Sequence, residues 1–284
     1  MPRWTVEAPT SLDFDNVTAL QVRLIEGTVA VLATDDRPSV VVSDIRGRPL
    51  QVSHDGGALT IGYESPSWER LLDWLEPTQD SAAVTVTVPA GCPIQLGVVS
   101  ASAVVCGLTA GAAVKGVSGE ITLDGVTGDV LANTVSGALE GRDVDGAVRF
   151  KSVSGDLTLA GGWLTRLAAD SINGQIAADV SLAATGAMRI STISGDVTLR
   201  LPADSDARVR LHSTAGNVRS EFGSLRPVMS PGSHTVSGNL GGGSGNVSVN
   251  SVSGAVTLLR RPGRRATPRA EPPRAEAGME SETR

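Results

Sequence analysis

Val153-Ser-Gly-Asp-Leu157 is a pentapeptide of this 284-residue chain that returns in nearly identical form at Val117, Val135, Ile193 and Val252. The pentapeptides belong to a longer series of glycines. These repeat glycines are Gly119, Gly128, Gly137, Gly146, Gly155, Gly174, Gly195, Gly216, Gly238 and Gly254. The first five are nine residues apart, and the later intervals run from 16 to 22 residues. A fixed period of this kind predicts a repeat fold, in which each unit stacks on a neighbour to bury its apolar face.

Each nine-residue unit has the pattern of a β-strand. In residues 151–159, the apolar residues Val153, Leu157 and Leu159 alternate with polar ones, as expected of a strand with one buried face. We expect the repeat glycine to adopt a backbone conformation that other residues avoid, so that the chain can turn a corner. Two units then form a coil. Seven or eight coils, stacked about 4.8 Å apart, would build a rod about 35 Å long. The predicted fold class is all-β, a single parallel β-solenoid (β-helix).

Three regions follow from the rest of the chain. Residues 1–89 show irregular strand patterns and are predicted to form less regular N-terminal coils or a cap. Residues 90–259 carry the regular repeat, interrupted at 220–232 by a segment that we interpret as a surface loop. Residues 260–284 are rich in Arg, Pro and Glu, and this composition predicts a disordered tail.

One short helix is predicted, near residues 67–76. Trp68, Leu71, Leu72 and Leu75 follow the spacing of a single apolar helix face, and Pro77 follows the last turn. We interpret this segment as a helix that packs on the flank of the rod. A helix that binds a partner is the alternative.

Acidic or amide residues follow many of the repeat glycines, and stacked coils could align them. These residues are Glu120, Asp129, Asp156, Asp196, Asn217, Asn239 and Asn246. Oxygen ligands at a repeated position suit Ca²⁺, but the full glycine-aspartate phrase of calcium-binding repeats is missing. We therefore interpret them as solvated turn residues.

Some parallel β-helices cleave polysaccharides with paired carboxylates and aromatic platforms for the sugar rings. The candidate residues for such chemistry are Asp143, Asp145, Asp170 and Asp179 as carboxylates, Arg149 or Arg166 as a base, and Trp163 and Phe150 as aromatics. The repeat region has few other aromatic residues, so an enzyme is the weaker interpretation.

Histidine and cysteine provide no further site. His54, His212 and His234 are far apart in the sequence, without the spacing of metal ligands or of a catalytic triad. Cys92 and Cys106 lack metal-binding spacing and are expected to be buried or unpaired thiols. We assign no catalytic, cofactor-binding or metal-binding residue, and we predict that the chain is not an enzyme.

The repeated Val-Ser-Gly-Asp phrase, together with an irregular β region and the strand Val84-Thr-Val-Thr-Val-Pro89, resembles a bacterial β-strand-repeat family of unknown function that is labelled putative adhesin. The resemblance covers about residues 4–258, and it implies a β-solenoid without known catalytic residues. Our leading hypothesis is a non-enzymatic scaffold or interaction protein that is adhesin-like and binds a protein partner or itself. The alternatives are a carbohydrate-active β-helix enzyme and a self-assembling solenoid filament.

The charge distribution limits the other partners. The net charge of −6 argues against nucleic acid, and no small-molecule substrate or cofactor is indicated. The tail carries seven Arg and four Glu, a net charge of +3, so a membrane contact through it is a weaker alternative to protection of the last strand edge. No secretion signal or run of 18 apolar residues is present, which predicts a cytoplasmic location, with peripheral envelope association as the alternative.

Overall fold

The computed structural model of the chain describes residues 2–63, 80–230 and 232–262. These described residues form 22 strands and no helix, so the fold is all-β, as predicted. The helix predicted near 67–76 lies outside the described residues, as does the part of the predicted tail from residue 263 onward.

The strands fall into three groups along the chain. The N-terminal strands are β1 (Arg3–Val6), β2 (Thr10–Asp13), β3 (Ala19–Ala33), β4 (Ser39–Arg46), β5 (Leu50–Asp55), β6 (Ala58–Tyr63) and β7 (Ser81–Val88). The central strands are β8 (Ile94–Cys106), β9 (Ala112–Gly116), β10 (Ile121–Asp124), β11 (Val130–Asn133), β12 (Leu139–Arg142), β13 (Gly146–Lys151), β14 (Leu157–Ser171), β15 (Ile176–Thr192) and β16 (Val197–Pro202). The C-terminal strands are β17 (Ala207–Ser213), β18 (Val218–Ser220), β19 (Arg226–Ser230), β20 (Ser233–Leu240), β21 (Gly245–Ser251) and β22 (Val256–Arg261).

The sequence period sets the strand pairing. Ile121 of β10 pairs in parallel with Leu139 of β12, and Val130 of β11 pairs in parallel with Val148 of β13. In both cases the partner lies 18 residues later, which is two nine-residue units. Alternate units therefore belong to two separate faces, and the chain forms a β-helix-like stack of coils.

The stack has two faces. Face 1 contains, in spatial order, β6, β3, β8, β9, β11, β13, β14, β15, β21 and β17. Face 2 contains β7, β3, β8, β10, β12, β14, β15, β16, β22 and β18. The long strands β3, β8, β14 and β15 bend and give one half to each face. We call the bend from face 1 to face 2 the first corner and the return bend the second corner.

The core lies between the two faces. Leu139, Leu157 and Ile121 of face 2 and Phe150 of face 1 are fully buried. Within each strand these residues alternate with exposed or half-buried polar ones, which confirms the period of two. Thin aliphatic layers fill the space between the sheets because few aromatic residues are present.

Antiparallel strands close both ends of the stack. At the N-terminal end, β5 and β1 extend face 1 beyond β6, and β4 and β2 extend face 2 beyond β7. At the C-terminal end, β20 pairs with β17 and β19 pairs with β20. Two sequence interpretations are wrong here: β19 occupies part of the predicted loop 220–232, and Gly238 lies inside β20 rather than at a corner. An antiparallel hairpin satisfies the backbone of this segment, so neither a loop nor a further repeat corner is needed.

The last coil along the chain is not the last in the stack. β21 lies between β15 and β17, and β22 lies between β16 and β18. After β16 the chain skips one coil position and forms β17, β18 and the β19–β20 hairpin. It then returns, and β21 and β22 fill the skipped position. β22 continues to Arg261, so Arg260 and Arg261 are strand residues and not part of the tail assigned to 260–284.

Candidate interaction surfaces

The glycines of the first corner stack directly on one another. A Cβ atom added to Gly137 would overlap the carbonyl oxygen of Gly119, and one added to Gly155 would overlap that of Gly137. The same overlap continues along the stack through Gly174, Gly195, Gly254 and Gly216. None of these glycines has a positive φ. The expected backbone conformation is therefore wrong at this corner, where glycine is needed because successive coils approach too closely for a side chain.

The second corner uses glycine differently. Gly128 and Gly146 have φ values of 110° and 119°, a region that residues with a side chain rarely adopt. The expectation from the sequence is confirmed at these two positions. A Cβ atom added to Gly146 would also lie 2.5 Å from the Gly128 carbonyl oxygen, so the second corner combines the close approach of coils with a backbone conformation that favours glycine.

Buried and half-buried hydroxyls form hydrogen bonds that stabilise the first corner. The Ser152 Oγ accepts a hydrogen bond from the Gly155 backbone N–H at 2.6 Å, three residues later. The Ser213 Oγ accepts from the Gly216 N–H at 3.0 Å and donates to the Gly254 carbonyl oxygen at 3.0 Å. Ser213 is completely buried, so these bonds replace the water that both groups lose.

The first residue of each pentapeptide lies at the surface, whereas the last one is buried. Val153 is 43% exposed and Ile193 is 50% exposed. The prediction that Val153 faces the core is wrong, because the inward position before the glycine belongs to the hydroxyl of Ser152. We call the row that these side chains form the valine ridge; it consists of Val117, Val135, Val153, Ile172, Ile193 and Val252. Serine N–H groups tie its members together, as in the 2.8 Å bond from Ser154 to the Val135 carbonyl oxygen.

Face 1 carries a group of exposed cations on neighbouring strands. We call it the arginine array; it consists of Arg149, Lys151, Arg166, Arg189, Arg208 and Arg210. All six side chains are exposed. The ion pairs found among the described residues include no member of the array. The array is therefore open to an external anion.

The acidic and amide residues that follow the repeat glycines lie on different surfaces of the structure. Glu120, Asp156, Asp196 and Asn217 follow first-corner glycines on face 2, whereas Asp129 and Asn246 lie on face 1 and Asn239 lies in β20. The Asp156 carboxylate accepts the Gln175 N–H at 2.7 Å, and Asp196 accepts the Ala255 N–H at 2.8 Å. Across the described ranges no three acidic, histidine or cysteine side chains gather as metal ligands.

The candidate residues for carbohydrate cleavage are dispersed. Asp143 and Asp145 lie at the second corner, while Asp170 lies on face 1 with Arg149 and Arg166. Asp179 lies on face 2 and pairs with Arg261 at 2.8 Å and with Arg200 at 3.3 Å. Arg149 and Arg166 line one surface depression and Asp143 lines another. Of the two aromatics, Phe150 is buried, whereas Trp163 is 55% exposed at the second corner.

Histidine and cysteine residues have local structural contacts. His54 lies against Phe14 with its Nε2 atom 2.6 Å from the Asn16 carbonyl oxygen. His212 contacts the Thr235 hydroxyl through Nδ1 at 2.9 Å, and antiparallel pairing places His234 on the adjacent strand, which the sequence separation did not indicate. Cys92 is buried and Cys106 half-buried; both are free thiols, and burial raises the pKa of each. Among the described residues there is no helix long and apolar enough to span a membrane.

Taken together, the fold and its exposed surfaces define an all-β repeat protein with a β-helix-like stack. The chain belongs to the Toastrack DUF4097 family, whose model matches residues 17–259. This confirms the family of unknown function that the repeat phrase indicated.

Solved structures with similar folds carry descriptive names without an established function. A putative adhesin from Parabacteroides distasonis is 10% identical, with 89% of this chain and 96% of that chain covered and a TM-score of 0.40. A putative lipid binding protein from the same organism is 13% identical, with coverages of 89% and 97% and a TM-score of 0.43. A putative cell adhesion protein from Clostridium sporogenes is 10% identical, with coverages of 89% and 100% and a TM-score of 0.26. No curated protein matches the chain.

Proposed function

We propose that the chain is a single β-solenoid that acts as a non-enzymatic scaffold and binds a protein partner through its exposed surface. The observation that carries this proposal is the valine ridge. Val135, Val153 and Ile193 are exposed at equivalent positions of successive coils, so they form a continuous apolar row along the stack. Contiguous exposed apolar residues of this kind are typical of protein interaction sites.

Two further observations support a binding role over the alternatives. The candidate catalytic residues lie in separate depressions, and the Asp179 carboxylate is already paired with two arginines. The strands at both ends of the stack are antiparallel, unlike the parallel coils between them. The end of one molecule therefore does not continue the parallel coils of the next molecule, as growth of a filament would require.

The experiment compares a ridge variant with a matched control. The variant Val135→Thr/Val153→Thr/Ile193→Thr keeps β-branched side chains and makes three of the six ridge residues polar. The control carries Thr122→Ser, Thr158→Ser and Thr198→Ser on face 2. Each full chain is immobilised and exposed to extract of the native cell. We expect the ridge variant to retain at least about tenfold less of the partner that the wild type retains, since interface residues of this size contribute about 1 kcal/mol each.

Two outcomes would contradict the proposal. Equal retention by the wild type, the ridge variant and the control would remove the valine ridge as the binding surface. Turnover of any member of a polysaccharide panel by the purified chain would show an enzyme, and the non-enzymatic assignment would be wrong.

A cytoplasmic location, with peripheral association with the envelope as the alternative, remains a prediction from the sequence. Fractionation of the native cell, with the full chain and with a chain lacking the segment after Pro262, tests it. Movement of the full chain alone to the membrane fraction would indicate that the segment is an anchor. Recovery of both chains in the cytosol would support the first prediction.

A further inference from the structure

Charge is unevenly divided between the two faces. The face 1 halves of β13, β14, β15, β21 and β17 carry the six cations of the arginine array, and Asp170 is the only acidic residue in these described segments. In the corresponding coils face 2 exposes both signs of charge, with Asp156 and Asp196 on the same face as Arg142, Arg200 and Arg219. The whole chain has a net charge of −6, so a basic face of this size is not a consequence of overall composition.

The strand register gives the array its geometry. One row across the strands reads Arg149, Ala168, Arg189, Ser248 and Arg210. Arginine thus recurs at every second strand, about 9.6 Å apart, with a small residue between. Arg166 and Arg208 lie in a neighbouring row two residues away along the strands. The cations therefore spread in two dimensions over a flat sheet, at separations where solvent screens much of their mutual repulsion.

An exposed tryptophan lies at the rim of this array. Trp163 is 55% exposed, the highest value among the large exposed apolar residues of the described chain. It lies at the second corner, three residues before Arg166, and its backbone N–H donates to the Asp145 carboxylate at 2.6 Å. An indole beside exposed cations is a combination typical of membrane–water interfaces, where the ring lies at the level of the lipid headgroups.

We propose that face 1 binds the surface of an anionic lipid bilayer, with the arginine array on the headgroups and Trp163 at the headgroup level. The proposal extends the binding function proposed above to a second surface and a second class of partner. A plane of headgroups matches a flat, two-dimensional array of cations. Duplex nucleic acid is read by elements that enter a groove, and single strands by stacked aromatics, and the outward residues of the array's strands offer neither. Face 2, which carries both signs of charge, would point away from the membrane.

The test uses the full chain and two variants of equal net charge. Arg189→Glu/Arg210→Glu changes the array, and Arg142→Glu/Arg219→Glu makes the same charge change on face 2. Binding is measured by co-sedimentation with vesicles of phosphatidylcholine alone or with phosphatidylglycerol added. We expect the wild type and the face 2 variant to bind the anionic vesicles and the face 1 variant to bind at least about 20-fold more weakly. Added salt should weaken the binding.

Trp163→Phe separates contact through the array from general charge attraction. In the wild type, indole emission should shift to shorter wavelength on anionic vesicles, and this shift should be lost in the variant while the melting temperature is retained. Equal loss of binding in the face 1 and face 2 variants, or equal binding to neutral vesicles, would overturn the proposal. So would tighter binding to a polynucleotide than to vesicles at equal phosphate, or loss of vesicle binding only when the segment after Pro262 is removed. A failure in these assays would leave the partner retention by the valine ridge unchanged, so the two proposals can fail separately.

Discussion

At the residue scale, the stacked glycines of the first corner leave no room for a side chain. A methyl group at Gly155 would overlap the Gly137 carbonyl oxygen, which is a backbone atom that no side-chain movement can displace. Overpacking that cannot be relieved by a flexible side chain costs about 1–3 kcal/mol or more. We expect Gly155→Ala to lower the free energy of unfolding by at least about 2 kcal/mol in chemical denaturation. Gly223→Ala is the control, since a Cβ there would meet nothing within 4 Å; an equal effect of both would contradict the close-approach argument.

The buried hydroxyl of Ser213 provides a second test. Ser213→Ala would leave the Gly216 N–H and the Gly254 carbonyl oxygen without their 3.0 Å partner. A buried polar group without a hydrogen bond costs about 1–3 kcal/mol, so the melting temperature should fall. Ser191→Ala, on the half-exposed outer side of face 1, should change it little. Similar melting temperatures for the two variants would show that the hydroxyl does not stabilise the corner.

The single tyrosine of the chain predicts a pH effect. Burial, together with the smaller effect of the Asp80 carboxylate, raises the pKa of Tyr63 to about 12. The folded state therefore holds the phenol proton more tightly than the unfolded state, whose pKa is about 10. This contribution to stability is complete below about pH 10 and is lost as the pH rises toward 12. Absorbance of tyrosinate in the native protein should titrate near the higher value.

Tyr63→Phe is the matching variant. The Tyr63 hydroxyl is buried and has no hydrogen-bond partner among the described residues, so its removal should cost less than about 1 kcal/mol at neutral pH. The variant should also lose the fall in stability between about pH 10 and 12 that the wild type shows. A tyrosine that titrates near 10 in the native protein would contradict the prediction.

At the scale of elements, the sequence predicted the pairing of the central strands because that pairing is periodic. Two nine-residue units return the chain to the same face, so Ile121 meets Leu139. The position of β21 and β22 could not be predicted in this way. Their residues fit any coil of the stack, and the order of coils depends on which edge is open when the chain returns. The β19–β20 hairpin was also missed, because its antiparallel pairing does not follow the period of the repeat.

The surfaces were less predictable than the strands. The period of two correctly placed Leu157 in the core. At the corner the backbone turns, so the alternation no longer indicates whether a side chain faces the core or the solvent. For this reason Val153 was wrongly placed in the core. The arginine array was missed because Arg149, Arg189 and Arg210 are neighbours only through strand register, including the inserted β21. Comparison of equivalent positions in successive units could have indicated the valine ridge, because each pentapeptide begins with Val or Ile.

The inserted coil gives a prediction at the element scale. β22 packs between β16 and β18, and its Val256 and Leu258 are buried. A chain that ends at Gly254 should lose at least about 3 kcal/mol of stability, since each of these side chains contributes about 1.5–3 kcal/mol when buried. A chain that ends at Pro262 keeps β22 and should melt with the full chain, as the sequence prediction of a disordered tail requires. A large loss in this longer chain would show that the tail prediction is wrong.

At the scale of the whole molecule, the repeat produces a body whose four sides differ. The first corner is an apolar ridge, face 1 is basic, face 2 carries both signs of charge, and the second corner carries the exposed Trp163. Because equivalent positions stack from coil to coil, the valine ridge and the arginine array each extend over several coils instead of forming a local pocket. Under the two proposals made above, the molecule would hold two partners of different chemistry at once, one on the valine ridge and one on the arginine array.

The ends of the stack determine whether such molecules join into filaments. β19 pairs with β20 on one side, and no described strand pairs with its other side. This edge contains Arg226 and Pro227, and proline removes a donor while arginine opposes the approach of a second sheet. We expect the wild type to sediment as a species of constant size over a wide concentration range. Arg226→Thr/Pro227→Thr should restore the donor, flatten the edge and cause association that grows with concentration, whereas Arg142→Thr, on a strand paired on both sides, should not. Association of the wild type itself would mean that the terminal hairpin does not protect this end. A self-assembling filament would then be as well supported as a scaffold.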